Sequence, residues 1–420
     1  MRNFARFVWL HAIDHVMVVL MVVLLATSLL ELSFSVSFLN PLARSLSNFS
    51  MTDIYYDISK SKAQKERDAL ITLVDMSKVY ERGKIADIIE QIESLGPSVL
   101  GIDIVFDGER DDSFGNRRLI EVAKKSKVHT VWACKLKDWN DDAEQFRETN
   151  HSFFTTSCLV DEGFTNVERD VNGGTVRRFG VRRKSEGRRV YSLPARVAKL
   201  HTGVEPAMDN DMSCVINYQA VKFPVVPYDS IIEHAGLIKG HIVLLGAVQE
   251  ERDKHYTPLG HIPGLYVLAY TVKTMVEHQA PTTLPVWVIW AFSLLVTLFT
   301  QITQAYAFDT TVRHRLGSVK CLGRMGVTSS VIFFTMVIVL VGASFMLYMR
   351  DNINLDVKWA ILCMSLLGTA RLLYSVMVNL IGDYAYPRFL RDVAEESLYR
   401  YESKAKTTGK IDMQQSTIEL

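Results

Sequence analysis

The sequence predicts an extracytoplasmic α/β domain, with a mixed, mostly parallel sheet and helices on both faces, joined to four transmembrane helices. Three observations carry this. Apolar residues concentrate at the two ends of the 420-residue chain, where Val16–Leu30, Val286–Phe299, Val327–Met349 and Trp359–Ile381 can each extend to the roughly 20 residues that cross a bilayer. Between them, short apolar runs alternate with segments of helical periodicity, the pattern of βαβ crossovers. Basic residues cluster in particular flanks of the apolar segments, which sets an orientation. The expected divisions are a cytoplasmic stub with the first span (1–38), the extracytoplasmic domain (39–282), three spans with a basic loop near 308–325 (283–383), and an amphipathic helix with a polar tail (384–420).

Taken in order, the first apolar run follows Arg2 and Arg6, is too long for a signal peptide and lacks a small-residue cleavage pattern, so it reads as a signal anchor. Ser45–Asp68 is a polar connector, helical or irregular, with room for an edge strand. Ala69–Val74 is an apolar strand ending in Asp75. Ile85, Ile88, Ile89 and Ile92 mark a helix that stops at Gly96-Pro97. Ser98–Phe106 is a second strand, Asn116–Lys125 a helix and Val128–Ala133 a third strand. The run TVRRFGVRRK from Thr175 to Lys184 predicts a two-sided polar strand, antiparallel at an edge. A helix over Tyr191–His201, a strand over Cys214–Tyr218, a helix over Ser230–Ala235, a strand over His241–Val248 and a helix over Leu265–His278 complete the domain. Pro281 and Pro285 mark its boundary with the membrane part.

Arg2 and Arg6, the set Arg313, Arg315, Lys320 and Arg324, and the set Arg388, Arg391 and Arg400 all belong in the cytoplasm, which places both termini inside and the large domain outside. The net charge of +1, with acids and bases balanced in the domain, excludes a nucleic-acid footprint. Cys134, Cys158 and Cys214 form an odd external set, compatible with a Cys134–Cys158 disulfide or with free buried thiols. No spacing suggests a metal site or a cofactor.

In an open parallel sheet, ligands bind beyond the carboxyl ends of the strands. That edge gathers Asp75, Asp107, Glu250 and Asp253. Asp103 shares a strand face with Val99, Gly101 and Val105, so its carboxylate must be paired or hydrogen-bonded; Arg82 and Arg178 are the candidate ion-pair partners. Two readings fit. In one, Asp75, Asp103, Asp107 and Asp253, with His255 nearby, form a polar pocket for a small ligand or cation. In the other, they are loop caps plus one structural ion pair. No nucleophile elbow, phosphate loop or zinc helix is present, and Gly173-Gly174 precedes a strand rather than a helix, so no catalytic residue is assigned and the protein is not expected to be an enzyme.

In the membrane part, Arg371 lies near the middle of the fourth span. It either faces the bundle interior, with Asp14 and Glu31 of the first span as candidate partners and Gln301 or Gln304 of the second adding hydrogen bonds, or snorkels towards the cytoplasm. Beyond Pro387, Leu390, Val393, Ala394, Ser397, Leu398 and Tyr401 share one helix face. That face could pair with a second copy to give a homodimer, dock a cytoplasmic partner, or lie on membrane lipid.

Three stretches together resemble the type-two CHASE domain, an extracytoplasmic sensory domain. They are Leu73–Asp112, with GIDIVFDGERDD after a strand ending in Asp75; Gly163–Arg178, GFTNVERDVNGGTVRR; and Ile216–Gly264, with INYQ, FPVVPYDSII and GHIVLLGAVQEERDKHYTPLGHIPG. The order of one span, domain and three spans is also similar to that family's arrangement. Two features depart from it: Tyr80-Glu81-Arg82-Gly83 stands where relatives often carry a Trp-Pro-rich turn, and the 37 residues after Asp383 are too few for a fused output domain. The resemblance implies a sensor in a bacterial inner membrane, its domain periplasmic, reporting a ligand or protein to a separate cytoplasmic partner. The alternative is a scaffold subunit of a cell-envelope complex, with an envelope protein as partner and no small ligand.

Overall fold

A computed structural model describes residues 2–35, 50–63, 67–126, 129–167, 174–209, 212–219, 221–249, 253–313 and 318–381. The chain forms two compact units, one of residues 44–282 with 351–353, the other of 1–43, 283–350 and 354–420. The second unit opens with α1 (Arg2–Leu10) and α2 (Ala12–Ser35). Over Ala12–Leu32, α2 has a mean hydropathy of 2.3, long and apolar enough to cross a membrane.

The first unit begins with α3 (Met51–Ala63), where the sequence left helix and irregular chain open. Then β1 (Ile71–Asp75), α4 (Arg82–Ser94), β2 (Val99–Ile102), α5 (Ser113–Lys125) and β3 (Thr130–Asn140) follow as two βαβ steps. Ile71–Val74 of β1 and all of β2 are buried, as strands covered on both faces require. The helix α4 buries Ile85, Ala86, Ile88, Ile89 and Ile92 and ends at Gly96, whose φ of +70° suits glycine. At the start of α5, the Asp112 carboxylate accepts from the Gly115 amide at 2.8 Å, an ordinary N-cap.

The middle comprises β4 (Gln145–Asn150), α6 (Thr155–Cys158), β5 (Asp161–Phe164), β6 (Arg178–Gly180), β7 (Arg182–Ser185), β8 (Arg188–Tyr191), α7 (Leu193–Thr202) and β9 (Ser213–Val215). The chain then forms β10 (Val225–Pro227), β11 (Ile242–Gly246), the hairpin β12 (Lys254–Thr257) and β13 (Gly260–Pro263), and α8 (Gly264–Val276). Among the described residues the main sheet runs β10-β1-β11-β2-β3-β4-β7-β8, with β5 also on β3. The β10-β1-β11-β2-β3 half is parallel throughout, while β3–β4 and β7–β8 are antiparallel.

Both faces of the parallel half are covered. On one, Leu100, Ile102, Val243 and Leu245 pack with Ile89, Ile92 and Leu119 of α4 and α5. On the other, α7 presses so closely that a Cβ on Gly163 would stand 2.5 Å from the Leu193 backbone, and one on Gly101 would stand 3.2 Å from Val197. Three expectations are corrected here. The strand expected to reach Phe106 leaves the sheet after Ile102. The run Thr175–Lys184 divides into β6, which pairs with β9, and β7, which pairs with β4 and β8, so β8 forms the edge. The helix expected at Ser230–Ala235 is a series of turns ending in a 3₁₀ turn at Ala235–Leu237. Cys134 and Cys214 are buried and Cys158 partly so, all as free thiols.

The second unit continues with α9 (Val286–Arg313), α10 (Ser318–Asp351), α11 (Lys358–Ser365) and α12 (Leu367–Ile381). Among the described residues, three helices are long and apolar enough to span: α2, α9 and α10. A fourth span results if α11 and α12, bent by 42° at their junction, count as one. Val18 and Val22 of α2 pack with Cys363, Leu367, Ala370 and Tyr374. The amphipathic stretch beyond Pro387 and the side chains of the basic loop lie outside the described residues.

Candidate functional site

The carboxyl ends of β1, β11 and β2 border a cavity of about 330 Å³. Met76, Val79 and Ile85 supply an apolar wall, and Asp103, Arg82 and Arg110 supply the charges. This mixture of an apolar lining with a few polar groups is typical of small-molecule sites.

Asp103 follows β2, and its amide donates to Leu245 O at 2.9 Å, so the backbone is still held by the sheet where the residue borders the cavity. Burial pushes its carboxyl up from 3.8 to about 6, and neighbouring Asp253 acts in the same direction; Lys135, the Thr165 hydroxyl and His255 oppose it. Asp253 and His255 stand 3.6 Å apart, and Lys135 donates to Thr165 O at 3.2 Å. Two glycines make room for the group. A Cβ on Gly246 would lie 3.3 Å from Asp103 Cβ, and one on Gly264, at the start of α8, would lie 2.5 Å from an Asp253 carboxylate oxygen.

Asp75 is placed differently. Its carboxylate accepts from the Ser77 amide and hydroxyl at 3.0 and 2.5 Å, from the Val248 amide at 3.1 Å and from the Gln249 side chain at 2.9 Å. It therefore staples the end of β1 to the end of β11, the loop-cap role. Asp107 is exposed and contributes its backbone carbonyl, not its carboxylate.

That carbonyl belongs to the shell around Arg82, which is only 2% exposed. The guanidinium donates to Asn116 Oδ1 at 2.5 Å, Gly108 O at 2.7 Å and Asp107 O at 3.3 Å, and lies over the Phe153 ring at 4.8 Å. Burial, with Arg110 nearby, lowers its pKa. Arg178 pairs with Asp209. Neither arginine is the partner expected for Asp103; the neighbouring cation is Lys135. Arg82 instead pins the loop from Asp107 to Gly108 against α5 and so shapes the cavity wall.

The sequence-predicted set thus divides. Asp103, Asp253 and His255 come together, but of these only Asp103 borders the cavity, as Arg82 does; Asp75 and Asp107 stand apart, and Glu250 lies outside the described residues. Lys135, Thr165 and Arg110 were not anticipated. Lys135 had a signal, a lone cation closing the apolar run Val131–Cys134, but Thr165 and Arg110 had none beyond ordinary loop chemistry. Among the described residues, no group of three or more His, Cys, Asp and Glu is placed to hold a metal ion.

In the helical unit, Arg371 donates to Gln301 Oε1 and Gln304 Oε1, both at 2.6 Å. The glutamines, expected as supplementary, are its hydrogen-bond partners. Asp14, also buried, accepts from the Tyr374 hydroxyl at 3.2 Å and stands 3.6 Å from His11. Glu31 is exposed; 17 residues beyond Asp14, it lies about 26 Å farther along α2, too far to share a partner with it.

The family model of the CHASE2 domain matches residues 17–303. No curated protein and no solved structure matches the chain. With more than half of its length matched, the chain belongs to the CHASE2 domain family, a family of extracytoplasmic sensory domains.

Proposed function

We propose that the protein is a multi-pass inner-membrane sensor of a bacterial cell, with both termini cytoplasmic and the α/β domain periplasmic. The domain binds a small ligand of mixed polarity and signals through a separate cytoplasmic polypeptide, without catalysing a reaction. The observation that carries this reading is the cavity at the carboxyl edge of the sheet, bordered by Asp103, whose pKa burial raises to about 6, by the cations Arg82 and Arg110, and by the apolar Met76, Val79 and Ile85. That edge is the preferred ligand position in open parallel sheets. Arg2 and Arg6, the run from Arg313 to Arg324 and the set Arg388, Arg391 and Arg400 support the orientation.

The test is scanning fluorimetry of the full-length protein in detergent against small molecules extracted from the envelope, comparing wild type with Ala247→Trp, which fills the cavity. A fraction that raises the melting temperature of wild type and leaves Ala247→Trp unmoved supports the sensor. If no fraction distinguishes the two proteins, the domain is a docking surface and the scaffold reading replaces it. Affinity capture with the full chain and with a chain ending at Tyr386 then locates the output: a signalling protein retained only by the full chain places it in the tail.

A further inference from the structure

The hairpin β7–β8 and the helix that follows it carry an uneven charge distribution that the cavity does not use. Strand pairing places Arg182 opposite Tyr191 and Lys184 opposite Arg189, so these four side chains share one face. Like charges directly opposite one another cost stability in a sheet. The next helix adds to the concentration: around the Tyr191 ring stand Arg196 at 5.2 Å, Arg182 at 5.9 Å and Lys199 at 5.9 Å. Five cations thus occupy one band, and Lys199 alone of them has a carboxylate partner among the described residues, the exposed Glu205. The Nε atoms of Arg182 and Arg196 are buried and make no hydrogen bond. Lys184 and Arg189 are exposed.

We propose that this face docks a linear phosphate-bearing polyanion. Same-face positions on a strand repeat every 6.8 Å or so, which puts Lys184 and Arg182 in line along β7 and continues the row through Tyr191 to Arg196 and Lys199 on α7. An extended polymer with repeated negative charge meets this row one cation after another. Arginine forks grip phosphate oxygens in pairs, and the bound anion relieves the repulsion between Lys184 and Arg189. A nucleic acid is a poorer match, because sequence-tolerant strand binding relies on aromatic rings free to stack on bases. Tyr191, the aromatic residue in the band, has its ring surrounded by cations. An apolar peptide is ill matched, since the exposed side chains of the band are Lys184 and Arg189, and phosphatidylcholine, which carries no net charge, keeps anionic lipid from competing in the test.

The probe is fluorescein-labelled inorganic polyphosphate, and the protein is the full chain in phosphatidylcholine nanodiscs, read by fluorescence anisotropy. With about four cations releasing counterions at a slope of about −0.7 each, affinity for wild type falls about 50-fold between roughly 50 and 200 mM salt. Lys184→Glu combined with Arg189→Glu weakens binding at least tenfold and flattens the salt dependence. The milder Lys184→Gln with Arg189→Gln weakens it less, in the same direction, with unchanged melting temperature. Arg117→Glu, an exposed charge reversal on α5, leaves binding unaltered. Equal binding by wild type and the double variants overturns the proposal, as does equal weakening by Arg117→Glu. Tighter binding of single-stranded DNA of matched charge overturns the choice of polyanion.

Discussion

Replacing Asp103 with Asn isolates the cost of holding a carboxyl group at the carboxyl edge of the sheet. In the folded protein the group binds its proton more tightly than in the unfolded chain, with a pKa raised from 3.8 to about 6. At about 1.4 kcal/mol per pKa unit, that difference is worth about 3 kcal/mol. The sign follows from linkage. Well below pH 3.8 both states are protonated and the group costs nothing. As the pH rises from about 4 through about 6, the unfolded chain ionises first, so stability falls and then levels off. Asn has the same shape and no charge to desolvate, and Lys135 keeps its bond to Thr165 O. For a domain of this size, 1 kcal/mol moves the melting temperature by about 2–4 °C. Asp103→Asn is therefore expected to melt about 6–12 °C above wild type at about pH 7.5 and within about 1–2 °C of it at about pH 4. Scanning calorimetry of the full-length protein in detergent reads this directly. An equal difference at both pH values, or a wild type that melts higher at about pH 7.5, would refute the argument that burial raises the Asp103 pKa.

Arg82→Lys retains the charge but cannot reach Asn116, Gly108 and Asp107 together, and should cost about 2–4 kcal/mol, with earlier proteolysis of the loop at Asp107–Gly108 than in wild type. Gly163→Ala drives a methyl into the Leu193 backbone and should destabilise by more than about 2 kcal/mol, whereas Gly236→Ala, with open space around the new methyl, should melt like wild type. Burial pushes the Cys134 and Cys214 thiols up to about 12 and about 11, so a maleimide should label Cys158 in the native protein and the other two only after denaturation, as read by mass spectrometry.

The parts of this fold legible in the sequence were those where one local pattern settled the outcome. The isoleucine spacing of α4, its stop at Gly96-Pro97 and the unbroken apolar run of β11 each have one physical reading. The parts that misled have long-range causes. Ile104, Val105 and Phe106 continue an apolar strand on paper, yet they line the cavity, because the chain is drawn out of the sheet and held by Arg82 through carbonyls 25 and 26 residues away. Nothing local marks Val181 as a break, since β6 and β7 diverge by pairing with strands distant in sequence. The acid cluster was half visible for the same reason. Asp103 sits just past a strand end, where the rule for parallel sheets points, and Asp253 and His255 come soon after β11 in the chain, at the start of the β12–β13 hairpin, but Lys135 and Thr165 join them only through the pairing of β3 with its neighbours. Arg371 was recognisable as costly by its place in a span, but the sequence left it between the interior and the cytoplasmic rim; that both glutamines, and not Asp14 or Glu31, hold it was a matter of helix rotation.

The helix α8 has a mechanical meaning within its domain. Its first residue, Gly264, lies under the Asp253 carboxylate, and 13 residues later, about 20 Å away, the helix ends near the opposite rim of the sheet. There Lys273 grips Asp68 at 2.7 Å, and Asp68 also takes the amides of Leu70 and Ile71, at the foot of β1. Strand and helix are thus two struts pinned together at one end, with the Asp103–Asp253 pair beside the start of the helix at the other. With its far end pinned, the helix can respond to a change in charge at Asp103 and Asp253 only as a unit, at its Gly264 end.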